Sequence, residues 1–222
     1  MTVLITGANR GIGHALATRY AENGLVIGTY RSAPPEDAGA DTLTWHQLDV
    51  AKPESQASLC HKLDGHPIEL LVCNAGVYLD KGESLADGFA VSQWEQTFAI
   101  NVTGVFLTVQ SLLPNLQAAN TAKLAIISSQ MASSTRAPGG SYIYRASKAA
   151  ALNLGRNLAT DLKGLDIAVG IYHPGWVRTD MGGQSAAIST DEAADGLVAR
   201  FDHLSLDTTG CFETWDGRAH DY

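Results

Sequence analysis

The sequence predicts one α/β domain over residues 1–222, a doubly wound parallel sheet of about seven strands with helices on both faces. Three observations predict it. Short apolar runs alternate with segments of helical spacing along the whole chain. The runs are apolar on both strand faces, which requires helices over each side of the sheet. Glycine-rich or Pro-Gly turns follow several of the runs. Crossovers in such a sheet are right-handed, and its ligand binds outside the carboxyl ends of the strands where strand order reverses.

The elements follow in order. "TVLIT" (2–6) is an apolar run closed by glycine, the mark of a buried strand. "HALATRYAEN" (14–23) has helical spacing, and Gly24 suits its stop. "LVIGTY" (25–30) is a second strand. "RSAPPEDAGAD" (31–41) is rich in Pro, Gly and Ala and reads as a loop or a broken helical turn. "LTWHQLDV" (43–50) is a third strand, and "PESQASLCHKL" (53–63) opens with Pro and acid as helix first turns do. "IELLVCNAG" (68–76) is a fourth, fully apolar strand. A long helix is expected over 91–119, interrupted at "AINVTG" (99–104). Asn101, Val102, Thr103 and Gly104 are poor helix residues, which a kink or a water-binding site would explain. "AKLAIISS" (122–129) is a fifth strand and "YIYRASKAAALNLGRNLATDLK" (142–163) a helix rich in small residues. "LDIAVGIYHPG" (165–175) is a sixth strand. "TDEAADGLVARF" (190–201) is a last helix capped by Thr190 or Asp191, and "GCFETW" (210–215) a seventh strand.

Fifteen Lys and Arg stand against 23 Asp and Glu, a net charge of −8. Nucleic acid and anionic membrane surfaces repel such a chain and are not expected as partners. No apolar run approaches the ~20 residues of a membrane span. The three cysteines, Cys60, Cys73 and Cys211, form no C-x-x-C, and the seven histidines form no cluster with ligand spacing. Neither a disulfide framework nor a metal site is expected. The opening "MTVLITGANRGIG" leaves no room for a signal peptide, so a cytoplasmic location is expected.

Chemistry concentrates where strands end. In "TGANRGIG" (6–13), Gly7 permits a sharp turn, and Gly11 and Gly13 let backbone approach a pyrophosphate resting on the helix N-terminus. A plain strand-to-helix loop is the alternative. After the second strand a site for NAD usually carries an acid for the ribose 2′-hydroxyl. Here "TYRS" presents Arg31, no acid follows until Glu36, and Arg10 sits inside the glycine turn. Two guanidiniums suit a 2′-phosphate; two solvated surface arginines are the other reading. Asp49 of "LDV" can accept from an adenine amino group. In "NAG", Asn74 can fix the strand end while Ala75 and Gly76 leave room for a ribose.

"YIYRASKAA" (142–150) carries two tyrosines ahead of one lysine. Tyr144 and Lys148 share a helix face at i,i+4, and Tyr142 points elsewhere. A free phenol titrates at about 10, too high for a base at neutral pH, and a nearby ammonium lowers it. A tyrosine tuned in this way exchanges a proton with an alcohol. A surface i,i+4 pair is the bland alternative. Of Ser128 and Ser129, only one can face such a tyrosine, because strand neighbours point to opposite sides. Pro174 and Gly175 turn the chain back beside whatever occupies the strand ends.

Taken in order, TGANRGIG, LDV, NAG, the Asn of INVTG, the ISS strand end, Y-x-x-x-K and the PG turn resemble the short-chain dehydrogenase/reductase family over nearly the whole chain. The SSQMAS and HPGWVRTDMGG stretches look most like its branch related to bacterial C-factor proteins. The resemblance implies a Rossmann fold, a nicotinamide cofactor and a catalytic set of Asn101, Ser129, Tyr144 and Lys148. Tyr144 would be the general acid/base, with Lys148 lowering its pKa and holding the nicotinamide ribose. Ser129 would orient the carbonyl, and Asn101 would fix a water in the relay to Lys148. The cofactor would lie along Gly7, Asn9, Arg10, Gly11, Ile12 and Gly13. Arg31, Asp49, Val50, Asn74, Ala75 and Gly76 would continue its cradle. Pro174, Gly175, Val177 and Thr179, fitting PG-x-V-x-T, would hold the carboxamide. Three departures stand out. Cys73 replaces an asparagine before NAG, the family's usual serine spacing would fall on Met131 rather than Ser129, and little chain separates TDMGG from the last helix.

The expected function is hydride transfer between NADP(H), favoured over NAD(H), and a small carbonyl or alcohol. A lyase or epimerase using the same Tyr-Lys pair, or a dinucleotide-sensing signalling protein, are the alternatives. Ala146, Ala149, Ala150, Ala151, Leu152, Leu154 and Leu158 carry small and apolar character far round the Tyr144 helix. With Val105, Leu107, Val109 and Leu112 on the neighbouring helix, they predict a homodimer or homotetramer.

Overall fold

The structure is a computed structural model that describes residues 1–36 and 39–222; Asp37 and Ala38, within the loop expected at 31–41, lie outside the described residues. Among the described residues, seven strands form one sheet in the order β3-β2-β1-β4-β5-β6-β7. They are β1 (Thr2–Ile5), β2 (Leu25–Tyr30), β3 (Leu43–Gln47), β4 (Leu70–Cys73), β5 (Ala122–Ile127), β6 (Ile167–His173) and β7 (Cys211–Thr214). Every neighbouring pair is parallel. The helices are α1 (Gly11–Ala21), α2 (Pro53–Lys62), α3 (Val91–Phe98), α4 (Gly104–Gln117), α5 (Tyr142–Lys163) and α6 (Thr190–His203). Strand order reverses between β1 and β4, so the turns after these two strands flank the crevice.

Side-chain alternation along each strand divides the core. On one face Leu4, Leu71, Leu124 and Val169 meet Val109, Leu112, Leu158 and Leu162 from α4 and α5. On the other, Val3, Ile5, Val72 and Tyr172 meet Leu16, Leu197 and Phe201 from α1 and α6. Each large aliphatic side chain buried there contributes roughly 1.5–3 kcal/mol of transfer free energy. Gly155 sets the height of α5 over the sheet: a Cβ there would lie 2.6 Å from Cγ1 of Ile171.

The interruption expected at 99–104 is a π-helical turn, Ala99–Thr103, between α3 and α4. The looser winding carries Asn101 into the interior, where it is 1% exposed. Several boundaries differ from expectation. The helix α1 begins at Gly11 because the glycine turn supplies its first residues. Gly24 lies past its end and serves close approach instead; a Cβ would sit 2.5 Å from the carbonyl oxygen of Met1. The cap of α6 is Ser189, not Thr190 or Asp191. Its hydroxyl accepts from the N–H of Glu192, whose carboxylate accepts from the N–H of Ser189, a reciprocal box.

Two further expectations change. The continuous helix Val91–Gln117 is long and apolar enough, by length and composition, to cross a membrane. Its apolar residues Val105, Val109, Leu112 and Leu116 are core residues of the sheet packing. For the same reason Val105, Val109 and Leu112 are spent inside one chain and offer nothing to a second copy, as are Ala151, Leu152 and Leu158 of α5.

Candidate active site

A groove enclosing about 600 Å³ runs across the carboxyl ends of the strands, from Arg31 past the glycine turn to Tyr144 and Met181. Ligand cavities span roughly 300–1,000 Å³. Its floor is the turn after β1. Gly7 and Gly11 hold φ of 63° and 57°, a region that disfavours any side chain. A Cβ at Gly13 would lie 2.5 Å from both Nδ2 of Asn74 and the carbonyl oxygen of Gly7. Asn74 closes this joint by donating to the carbonyls of Thr6 and Gly7, each at 3.0 Å. Thr6, unremarked in the sequence, accepts from the N–H groups of Asn74 and Ala75 through one hydroxyl. Helix α1 has no side-chain cap and no acid in its first turn, so its N-terminal N–H groups remain available to an anion.

The walls bring most of the expected residues together. Asn9, Arg10, Ile12, Arg31, Asp49, Val50, Ala75, Gly76, Pro174 and Thr179 line the groove with the three turn glycines, Asn74, Tyr144 and Lys148. Arg10 is held by Asp180 in an exposed ion pair. Arg31 has no acidic partner among the described residues.

Four expected residues stand off the groove wall. Asn101 lies behind Gly76, where a Cβ would come within 3.3 Å of its Oδ1 and 3.4 Å of the Lys148 Nζ. Its amide accepts from the N–H of Val77 and donates to the Val77 carbonyl and the Ser147 hydroxyl. Ser129 is buried beside Tyr144 at the end of the β5 segment, accepting from the N–H of Met131. Gly175, with φ of 91°, turns toward a second cavity. Val177 is buried and pairs through its backbone with Ile188, so it braces the turn rather than facing a ligand.

Tyr144 and Lys148 share one face of α5, with Nζ 5.8 Å from the phenol ring centroid. Lys148 donates to the Ile127 carbonyl at 2.9 Å, and burial lowers its amine to about 8. The Tyr144 phenol is pushed up to about 12 by burial; the Ser129 hydroxyl pulls it down, while Tyr78 and Asp80 push it further up. Desolvation is the leading cause of that shift. Ser128 donates to the Lys148 carbonyl, which leaves Ser129 as the serine beside the phenol. Tyr142 is exposed and meets Phe89 edge-on.

Sequence reasoning missed Tyr78 and Asp80. The Tyr78 ring stacks on Tyr144 with centroids 4.2 Å apart, and its hydroxyl bonds Ser141. Asp80 is fully buried and accepts from the N–H groups of Ile143 and Tyr144. Alternation in extended chain puts Tyr78 and Asp80 on one side, but it does not say what that side faces.

These features fit a dinucleotide: an uncapped helix N-terminus, a glycine floor with no room for side chains, and guanidiniums at the far end. Fold and groove define an α/β protein suited to a dinucleotide, with a tyrosine and a lysine on one helix face lining the groove. Residues 1–189 match the family described as short chain dehydrogenase. The chain belongs to this short-chain dehydrogenase/reductase family and is an NAD(P)-dependent oxidoreductase. It is 33% identical over 225 residues to 1-hydroxy-2-glutathionyl-2-methyl-3-butene dehydrogenase of Rhodococcus sp. (strain AD45), covering 97% of each chain. It is also 33% identical over 153 residues to C-signal of Myxococcus xanthus, covering 68% of this chain and 90% of that one. The NADPH-bound carbonyl reductase from chicken fatty liver superposes with a TM-score of 0.87 at 26% identity, over 100% of this chain and 98% of that one.

Proposed function

We propose that the protein is an NADP(H)-preferring reductase of a small carbonyl compound, with Tyr144 as its general acid/base. One observation carries the reading: a buried phenol lines the groove with Ser129 beside it and Lys148 on the same helix face. With its pKa raised to about 12, Tyr144 holds its proton at neutral pH and can donate it to a carbonyl oxygen that is being reduced. Ser129 holds the carbonyl oxygen against the phenol. Lys148, titrating near 8, is the proton source behind Tyr144. Asn101 positions the Val77 segment and Ser147 around it. The bound nicotinamide supplies the hydride.

The glycine turn and the α1 N-terminus would hold the pyrophosphate, Asp49 and Val50 the adenine, and Asn74 to Gly76 with Lys148 the riboses. Pro174 and Thr179 would meet the carboxamide. Arg31, with Arg10 once released by Asp180, would hold a 2′-phosphate; the NADPH in the chicken relative agrees with this choice. Exposed Phe106 and the half-buried alanines of α5 support a homodimer. The test is a turnover screen of aldehydes, ketones, diketones and sugars with NADPH and NADH, followed by nicotinamide absorbance. No turnover of any carbonyl by a cofactor-loaded protein would overturn the reading.

A further inference from the structure

We propose that a second cavity, separate from the cofactor groove, is a binding site for the carboxylate of a small apolar or aromatic acid. It encloses about 370 Å³ at the carboxyl ends of β6 and β7, on the far side of the Pro174-Gly175 turn. His173, Arg136, Arg218 and His220 line it, and among the described residues no acidic side chain does. In a chain of net charge −8 that is an unusual concentration of cationic groups.

Polar groups there are unspent. His173 is 8% exposed, and its Nδ1 is buried with no hydrogen-bond partner. Buried polar atoms are seldom left so. The Trp215 indole N–H and the Arg136 guanidinium have no acidic partner among the described residues; Arg136 donates only to the Gln130 side chain, at 3.2 Å. Arg218 is neutralised by Asp216 at 2.9 Å, so Arg136 supplies the net charge. The neighbours report the same field. Burial holds His173 down at about 4, His220, Arg136 and Arg218 add to that, and Asp216 alone opposes it. At neutral pH the imidazole is therefore uncharged, in a positive setting. Trp176, Trp215 and Ile188 complete the walls with apolar and aromatic surface. A bare inorganic anion would leave that surface unused, whereas an organic carboxylate uses both.

The acid has two possible sources: the far end of the carbonyl substrate, since Gln130 in this cavity follows Ser129, or a separate small acid. Calorimetry of the full-length protein with sodium benzoate, benzamide and inorganic phosphate tests the site. Benzoate should bind about ten-fold or more tightly than benzamide or phosphate. Saturating NADP should not displace it. Arg136 is exposed, so Arg136→Gln should fold normally, keep its NADP affinity and weaken benzoate about ten-fold. His173→Gln provides a second variant.

The source is then read by kinetics, an arm that rests on the proposed reductase activity. If Arg136→Gln raises KM for benzoylformate but not for its methyl ester, and benzoate competes, the cavity anchors the substrate. If benzoate binds and alters neither KM, the ligand is a separate acid. Both results uphold the site. Benzoate binding that is absent, no tighter than benzamide, displaced by NADP, or unchanged in both variants would overturn it. The calorimetry needs no turnover, so its failure is distinct from failure of the reductase reading.

Discussion

Asp80 accepts the backbone N–H of Tyr144 at 3.2 Å, and the same carboxylate accepts that of Ile143 at 2.8 Å. A helix leaves its first N–H groups unpaired, and Ser141, at the start of α5, supplies no side-chain cap. The cap comes instead from the segment that leaves β4. The helix dipole favours a negative charge at this point. Position of the phenol and stability of the helix start thus depend on one buried side chain.

Replacing Asp80 by Ala should cost about 1–3 kcal/mol of unfolding free energy, the penalty of buried N–H groups left without acceptors. Asp80→Asn keeps one acceptor and should recover most of it. Urea unfolding followed by tryptophan fluorescence measures both. An alanine variant as stable as the wild type would exclude the capping role.

Tyr144→Phe should retain fold and cofactor binding and lose about 10²–10⁴-fold in kcat, the usual worth of a general acid/base. Tyr142→Phe should change little, because that ring is exposed and meets Phe89 edge-on. Loss of activity in the second variant and not the first would reverse the assignment.

What the sequence made legible was what depends on short-range spacing. Each strand run has its strand, and the helix over 142–163 has the bounds expected, because apolar period and small-residue content are local properties. The i,i+4 rule separated Tyr144 from Tyr142 without a structure. Contacts distant in sequence were not legible. Asp80 caps a helix more than sixty residues further along the chain, and nothing in "VYLD" announces it. The phenol's surroundings were hidden for the same reason: the Lys148 spacing was visible, but the burial that raises the Tyr144 pKa was not.

Arg31 has no acidic partner among the described residues, whereas Arg10 is engaged by Asp180, so in the proposed 2′-phosphate pair Arg31 is the cation at hand. Arg31→Asp should therefore lose about ten-fold or more in NADPH affinity and gain relative affinity for NADH. Asp180→Asn should tighten NADPH by only about two- to five-fold, because exposed ion pairs are weak. Fluorescence titration with both cofactors measures these ratios. NADH binding as tight as NADPH in the unmodified protein would defeat the assignment.

Burial lowers the Lys148 amine from an ordinary lysine's 10.5 to about 8. Below about pH 8 both folded and unfolded chains hold the proton, and the fold bears the whole penalty. From about 8 to 10.5 the unfolded chain holds more protons, so unfolding free energy from this group rises with pH. Lys148→Met removes the penalty, on the order of 3 kcal/mol, and also loses the bond to the Ile127 carbonyl. The stability of the variant relative to wild type should be greatest at pH 7 and shrink as pH rises to 10. A difference constant across that window would show that no strained ammonium is present.

The homodimer prediction now rests on fewer residues than the sequence suggested. Val105, Val109 and Leu112 are core. What remains outside the core is Phe106, 41% exposed, with half-buried Leu107 on α4 and half-buried Ala146, Ala149 and Ala150 on α5, while Leu113 and Leu154 pack against the core. Both helices pack on the same face of the sheet, so their outer surfaces lie on one side of the molecule. Alanines allow a second helix to approach closely, and Phe106 supplies an apolar anchor that a lone chain leaves in water. A two-fold axis across this side would pair each surface with its own copy. Ala149→Glu and Phe106→Asp place unpaired charge in such a contact and should each shift light scattering toward a single chain's mass. Both positions are on the outer surface, so thermal unfolding of the separated chains should remain cooperative. An unmodified protein that is active and scatters as a single chain at micromolar concentration would refute the interface.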